Sequence, residues 1–154
     1  MNAIAFTVNG AAREVEAEAH ETLLEVLRER LHLIGPKEAC GVGECGSCLV
    51  LVDGAAVNAC LMLAEDAAGR VVETAEGLGG EGLSTVQEAF VAAGAVQCGF
   101  CTPGMVVAAT ALLRANPRPT AAEAVAALDG VLCRCGTYPR VLHAVRLAAG
   151  EGGP

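Results

Sequence analysis

Cys40-Gly41-Val42-Gly43-Glu44-Cys45-Gly46-Ser47-Cys48 is the stretch on which the reading of this chain turns. Its three cysteines stand with four and then two residues between them, and Cys60 follows after eleven more. Gly41, Gly43 and Gly46 tolerate positive φ and have no side chain to hold the loop away from whatever it wraps. Three thiolates on such a loop and the fourth from Cys60 can converge on one inorganic centre, with backbone N–H groups turned toward its sulfurs.

Three ligands sharing one loop, with a fourth arriving alone, match the plant-type spacing of a [2Fe–2S] site. A structural zinc on four cysteines is the alternative, although zinc sites favour paired two-ligand knuckles. The other four of the eight cysteines form a second set: Cys98 and Cys101 with two residues between, then Cys133 and Cys135 with one. Each pair falls where a helix is expected to begin or a loop to bend, where free N–H groups favour negative charge. A disulfide framework is the remaining use of an even cysteine count. It fits poorly with Cys133 and Cys135 one residue apart, and with Met1–Gly10, which has no basic start, apolar run or cleavage site for export.

Around these sets the chain changes character at its middle. Ile4, Phe6 and Val8 alternate up to Asn9-Gly10, and a second run with Val15 reaches Ala17, which predicts a β-hairpin. Thr22 with Glu25 forms a capping box, and Leu23, Leu24, Leu27 and Leu31 predict one amphipathic helix lasting until Gly35-Pro36. Leu49–Val52, Asp53-Gly54 and the run to Cys60 predict a second hairpin, with Val71-Val72 as a last strand and Thr74–Gly82 as a linker.

Beyond the linker only helix signals appear. Ser84 with Gln87, Thr102-Pro103, Thr120 with Glu123, and Pro139 each open a helix. Val106, Thr110, Leu112 and Leu113, then Val125 and Leu128, predict faces that close as a bundle. The expected architecture is therefore α+β. Residues 1–77 make a β-grasp ferredoxin-like domain and residues 78–154 an all-α four-helix-bundle domain, each with one cysteine set.

Composition narrows the partners. Hydrophobic residues make up 53% and aromatics only 3%, so the core must be built from small aliphatic side chains, with the metal centres adding stability. A formal net charge of -8 argues against nucleic acid or an anionic membrane surface as partner. Glycine, proline and charges break every apolar run before it could span a bilayer. The expected compartment is the cytoplasm, or the periplasm only if a partner with its own export signal carries the chain there.

The Cys40–Cys48 run, the run Gln97-Cys98-Gly99-Phe100-Cys101-Thr102-Pro103-Gly104, and Cys133-Arg134-Cys135 together resemble the iron–sulfur subunits of xanthine dehydrogenase and carbon monoxide dehydrogenase, the molybdenum hydroxylases. The resemblance covers nearly the whole chain. It implies two [2Fe–2S] clusters, one on Cys40, Cys45, Cys48 and Cys60 and one on Cys98, Cys101, Cys133 and Cys135. It also implies a large partner subunit that carries molybdopterin in its cytosine dinucleotide form.

By the same resemblance the helical-domain cluster lies nearer the molybdenum, and Gln97 and the sulfur of Cys135 hydrogen-bond the pterin. Where many members continue Cys-Thr-Gly-Tyr, this chain has Cys135-Gly136-Thr137-Tyr138-Pro139-Arg140. That variant is similar to the alpha subunit of isoquinoline 1-oxidoreductase and its two-subunit relatives, which often lack a flavin subunit, so the acceptor implied is either a cytochrome or other external acceptor or a flavin subunit.

No residue presents itself as a catalytic base, so the chain reads as the non-catalytic wire of an oxidoreductase acting on an aldehyde, purine or N-heterocycle. A free-standing ferredoxin-like carrier and a zinc-stabilised interaction module are the rival readings. His20, His32 and His143 share no ligand spacing and are expected at the surface. Arg134 and Arg140 either offset cluster charge, meet a partner's cofactor, or are ordinary salt-bridged or solvated side chains, and Phe100 and Met105 are expected to form an apolar shell around a centre.

Overall fold

The computed structural model describes residues 1–151; Gly152–Pro154, the end of the expected second domain, lie outside them. Strand β1 (Asn2–Val8) turns at Asn9-Gly10 into β2 (Ala11–Ala17). Both turn residues have positive φ, 49° and 79°, as a two-residue turn matching strand twist requires. Asp53-Gly54 repeats the device between β3 (Leu49–Val52) and β4 (Ala55–Asn58). With β5 (Val71–Glu73) the strands form one mixed sheet in the order β2-β1-β5-β3-β4, in which β1 runs parallel to β5 and antiparallel to β2.

The sheet grasps helix α1 (Leu23–Glu25), which buries Leu23 and Leu24 on a core of Ile4, Phe6, Val8, Val50 and Val72. Thr22 closes the expected capping box, its N–H donating to the Glu25 carboxylate at 2.7 Å. The helix is shorter than the leucine spacing predicts. It widens into a π turn over Val26–Arg30, and His32 adopts φ 55°, so the chain leaves the helix before Gly35-Pro36. Leu31 and Leu33 still pack on the core, from the exit turn. Apolar spacing registers the burial but not the change of winding.

The expected linker is tied down rather than loose. Thr74 is fully buried and hydrogen-bonded to both ends of the Asn9 amide at 2.9 Å, and a 3-10 turn covers Ala75–Gly77. Four helices follow: α2 (Thr85–Ala92), α3 (Thr102–Ala115), α4 (Ala121–Leu128) and α5 (Tyr138–Ala148). Ser84 and Thr120 cap α2 and α4 with complete capping boxes, and proline occupies the first turn of α3 and α5. Phe90, Met105, Leu128, Val131, Val141 and Val145 form a separate core. Val125, expected on its inward face, is half exposed, because Ala124 and Leu128, one helical turn apart, face the core instead.

The two halves meet along α3. Leu49 of β3 reaches the helical core, and Arg114 of α3 forms a two-pronged ion pair with Glu73 of β5 at 2.6 and 3.0 Å. Contact is closest where glycines face each other. A Cβ on Gly104 would stand 2.4 Å from the Gly46 carbonyl oxygen, and one on Gly46 would stand 2.3 Å from that of Gly130. Among the described residues no helix is long and apolar enough to cross a membrane.

Candidate metal centres

The first cysteine loop turns its backbone inward as the glycines allow, with φ of 66°, 77° and 68° at Gly41, Gly43 and Gly46. The N–H groups of Val42, Glu44 and Cys45 all donate to Cys40 Sγ at 3.4 Å and pull its thiol down to about 6. Cys45 pairs with Cys40 from the same loop. Cys48 is buried at the start of β3; burial pushes its thiol up to about 12, and its neighbour is Cys60. Asn58 braces the assembly, donating to the Gly43 carbonyl at 3.2 Å, while the Cys48 thiol donates to its Oδ1 at 3.8 Å.

The second centre is assembled from two helix starts. Cys101 stands at the N-terminal boundary of α3 and is buried, which raises its thiol to about 12, and its neighbour is Cys133. For Cys133 burial works upward, but the hydroxyl and N–H of Thr137 together with the Cys101 side chain and the Cys135 backbone outweigh it and bring the thiol to about 7. The Thr137 hydroxyl oxygen lies 3.2 Å from its sulfur. Cys98 is exposed, lowered first by the Phe100 N–H and then by the thiol of Cys135. Each shifted thiol is perturbed by others of its own set: Cys40 by Cys45, Cys48 by Cys60 and Cys45, Cys98 by Cys135 and Cys133, and Cys101 by Cys133 and Cys98.

Four neighbouring thiols per centre suit a two-iron cluster, in which each iron takes two protein ligands. A structural zinc instead draws four sulfurs to about 2.3 Å around one point. Among the described residues no three such donors converge on one ion position, and all eight cysteines are free of disulfides.

Between the centres lies a cleft of about 280 Å³ lined by Cys45, Cys98, Cys101 and Cys133 with Phe100 and Leu132. The Leu132 N–H crosses its edge and donates to the Cys45 carbonyl at 2.9 Å. One hydrogen bond therefore joins a cysteine of the first set to the residue beside a cysteine of the second. Met105 is fully buried, as expected of an apolar shell, but Phe100 is 46% exposed. Its ring instead faces the Lys37 ammonium, 5.8 Å from its centroid.

Gln97 and Cys135 are both exposed. Gln97 lines a surface pocket of about 400 Å³ with Gly136, Thr137 and Arg140. Arg140 donates to the Gly94 carbonyl at 3.2 Å, Arg134 lines the cleft between the centres, and the three histidines are at the surface. Asn58, Leu132 and the Tyr138 hydroxyl were not singled out by sequence. Only Asn58 left a signal there, as an amide in an apolar strand two residues before Cys60.

Comparison with known proteins agrees with this geometry. A family described as 2Fe-2S iron-sulfur cluster binding domain matches residues 6–77, and one described as [2Fe-2S] binding domain matches residues 74–146. The nicotine 6-hydroxylase small subunit of Paenarthrobacter nicotinovorans is 49% identical over 146 residues, covering 95% of this chain and 88% of that one. This chain belongs to the iron–sulfur small subunits of the molybdenum hydroxylases. The isoquinoline 1-oxidoreductase alpha subunit of Brevundimonas diminuta is 42% identical over 96% of this chain and 98% of its own. In the crystal structure of quinoline 2-oxidoreductase from Pseudomonas putida 86, one chain superposes with a TM-score of 0.92 at 41% identity, covering 97% of this chain and 94% of that chain.

As a member of this family the small subunit binds two [2Fe–2S] clusters and works beside a large molybdopterin-containing subunit. It relays electrons from the molybdopterin centre to an acceptor within an oxidoreductase complex.

Proposed function

We propose that Cys40, Cys45, Cys48 and Cys60 ligate one cluster, that Cys98, Cys101, Cys133 and Cys135 ligate the other, and that the chain divides into residues 1–77 and 78–154 around them. The mutual influence of the thiols within each set supports the ligand sets, and the two separate cores support the division. Within each set a neighbouring pair takes one iron. When bound, the clusters supply reversible one-electron redox chemistry. The protein holds them in fixed relation, limits water with Met105 and the two cores, and offers N–H groups to sulfur, which stabilise the reduced state.

The observation that carries the relay is the hydrogen bond from Leu132 N–H to the Cys45 carbonyl. Electrons enter at the helical-domain cluster, because Gln97 and Cys135 stand exposed beside it and can hydrogen-bond the partner's pterin, in its cytosine dinucleotide form. They leave from the ferredoxin-domain cluster to a cytochrome or other external acceptor, or to a flavin subunit where one is present. The proposed compartment is the cytoplasm, or the periplasm only if a partner with its own export signal carries the chain there.

Substrate addition to the anaerobic holoenzyme, followed by rapid freezing and electron paramagnetic resonance, tests the order. Cys133→Ser is expected to stop substrate from reducing the ferredoxin-domain cluster while dithionite still reduces it. Cys45→Ser is expected to leave the helical-domain cluster reducible by substrate. Substrate reduction of the ferredoxin-domain cluster at the normal rate in Cys133→Ser overturns the order.

A further inference from the structure

The peptide joining the two centres has little of its own to hold it. Leu132 is 58% exposed, so its side chain does not anchor the N–H that reaches Cys45. The anchors are its neighbours. Val131 is fully buried, and the single tyrosine of the chain, Tyr138, ties both flanking residues. Its hydroxyl accepts the Cys133 N–H at 2.8 Å and donates to the Val131 carbonyl at 2.9 Å. The ring packs on the helical core at the first residue of α5, and Thr137, immediately before it, is buried against the Cys133 sulfur.

We propose that Tyr138 is a positioning residue for electron transfer: its hydroxyl clamps Val131–Cys133 so that Leu132 stays on Cys45, and it keeps the Cys133 N–H off the sulfurs of the helical-domain cluster. The proposal rests on the ligand sets above. The step it serves moves one electron, oxidising the helical-domain cluster and reducing the ferredoxin-domain cluster, with no proton transferred. Hydrogen bonds to cluster sulfur raise the reduction potential. A freed Cys133 N–H therefore raises the potential of its own cluster alone, and a loosened Leu132 slows transfer to the other.

Redox titration of the holoenzyme with Tyr138→Phe tests this. Iron content is expected to stay full and the ferredoxin-domain potential to hold. At fixed potential the reduced-to-oxidised ratio of the helical-domain cluster is expected to rise about tenfold, equivalent to about 59 mV for one electron. Substrate-driven transfer between the clusters is expected to slow several-fold. Both potentials and the rate unchanged at full iron content overturn the proposal.

If Tyr138→Phe assembles without the helical-domain cluster, 3-fluorotyrosine at position 138 decides. Its more acidic phenol is a weaker acceptor of the same shape, so a smaller shift of the same sign in that cluster alone supports the clamp, and no shift, or equal shifts in both, overturns it. Cys133→Ser with both signals intact instead removes the ligand assignment, and the clamp with it.

Discussion

The two cysteine centres solve the same problem with different kinds of chain. The first is almost local. Cys40, Cys45 and Cys48 share one glycine-bent loop whose own N–H groups cover the Cys40 sulfur. The second is wholly tertiary, because Cys98 and Cys101 precede α3, Cys133 and Cys135 precede α5, and only the packed bundle brings them together. The contrast predicts that damage to the bundle empties the second centre and spares the first, except where the two domains press on each other.

The largest effect is expected at that exception. Gly46 has φ 68° and faces the Gly130 carbonyl and Gly104, so Gly46→Val should prevent domain docking and abolish iron incorporation at both centres. Gly41 shares the positive φ, but an added Cβ would meet nothing closer than 3.9 Å. Gly41→Ala should therefore cost only the strain of a left-handed residue, about 1–2 kcal/mol. Iron content and thermal unfolding separate the two, and equal damage from both substitutions would show that loop strain, not docking, governs assembly.

Next in size is Met105→Ala in the helical core, expected to destabilise by about 2–5 kcal/mol. On heating, the helical-domain signal should then disappear well before the ferredoxin-domain signal. Simultaneous loss would mean that the two centres unfold as one unit. Asn58→Leu probes the other side. It removes the bond to the Gly43 carbonyl at a cost of about 1 kcal/mol and should disturb the ferredoxin-domain spectrum alone.

The smallest effect belongs to the ion pair across the interface. The Arg114 guanidinium holds the Glu73 carboxyl below the usual carboxylate range. Because the folded value is depressed, its stabilisation is present above the unfolded carboxylate pKa and is lost as pH falls through the folded value. Partly exposed pairs of this kind contribute about 0.2–1 kcal/mol. Glu73→Gln should lower stability by that much near neutral pH and by nothing in strong acid, measured by denaturant unfolding at both pH values.

What could be read from sequence follows the same local-to-tertiary division. Asn9-Gly10, Asp53-Gly54 and the boxes at Thr22, Ser84 and Thr120 each act over two to four residues, and all formed where expected. The cysteine spacing was legible for the same reason. The end of α1 was not, because the leucines stay apolar on both sides of the π turn while the winding changes beneath them. The Leu132 bridge and the Tyr138 clamp were not legible either. The bridge joins residues far apart in sequence, and the clamp uses backbone groups that leave no mark on residue identity.

The electron relay depends on eight cysteines holding two clusters in two sets of four. The most direct test of that arrangement is iron, zinc and acid-labile sulfide analysis of the anaerobically purified complex, with electron paramagnetic resonance at partial and full reduction. About four iron atoms per small subunit and two distinguishable reduced [2Fe–2S] signals are expected, one lost in Cys45→Ser and the other in Cys133→Ser. Zinc in place of iron, or a single cluster signal from a fully folded complex, would contradict it.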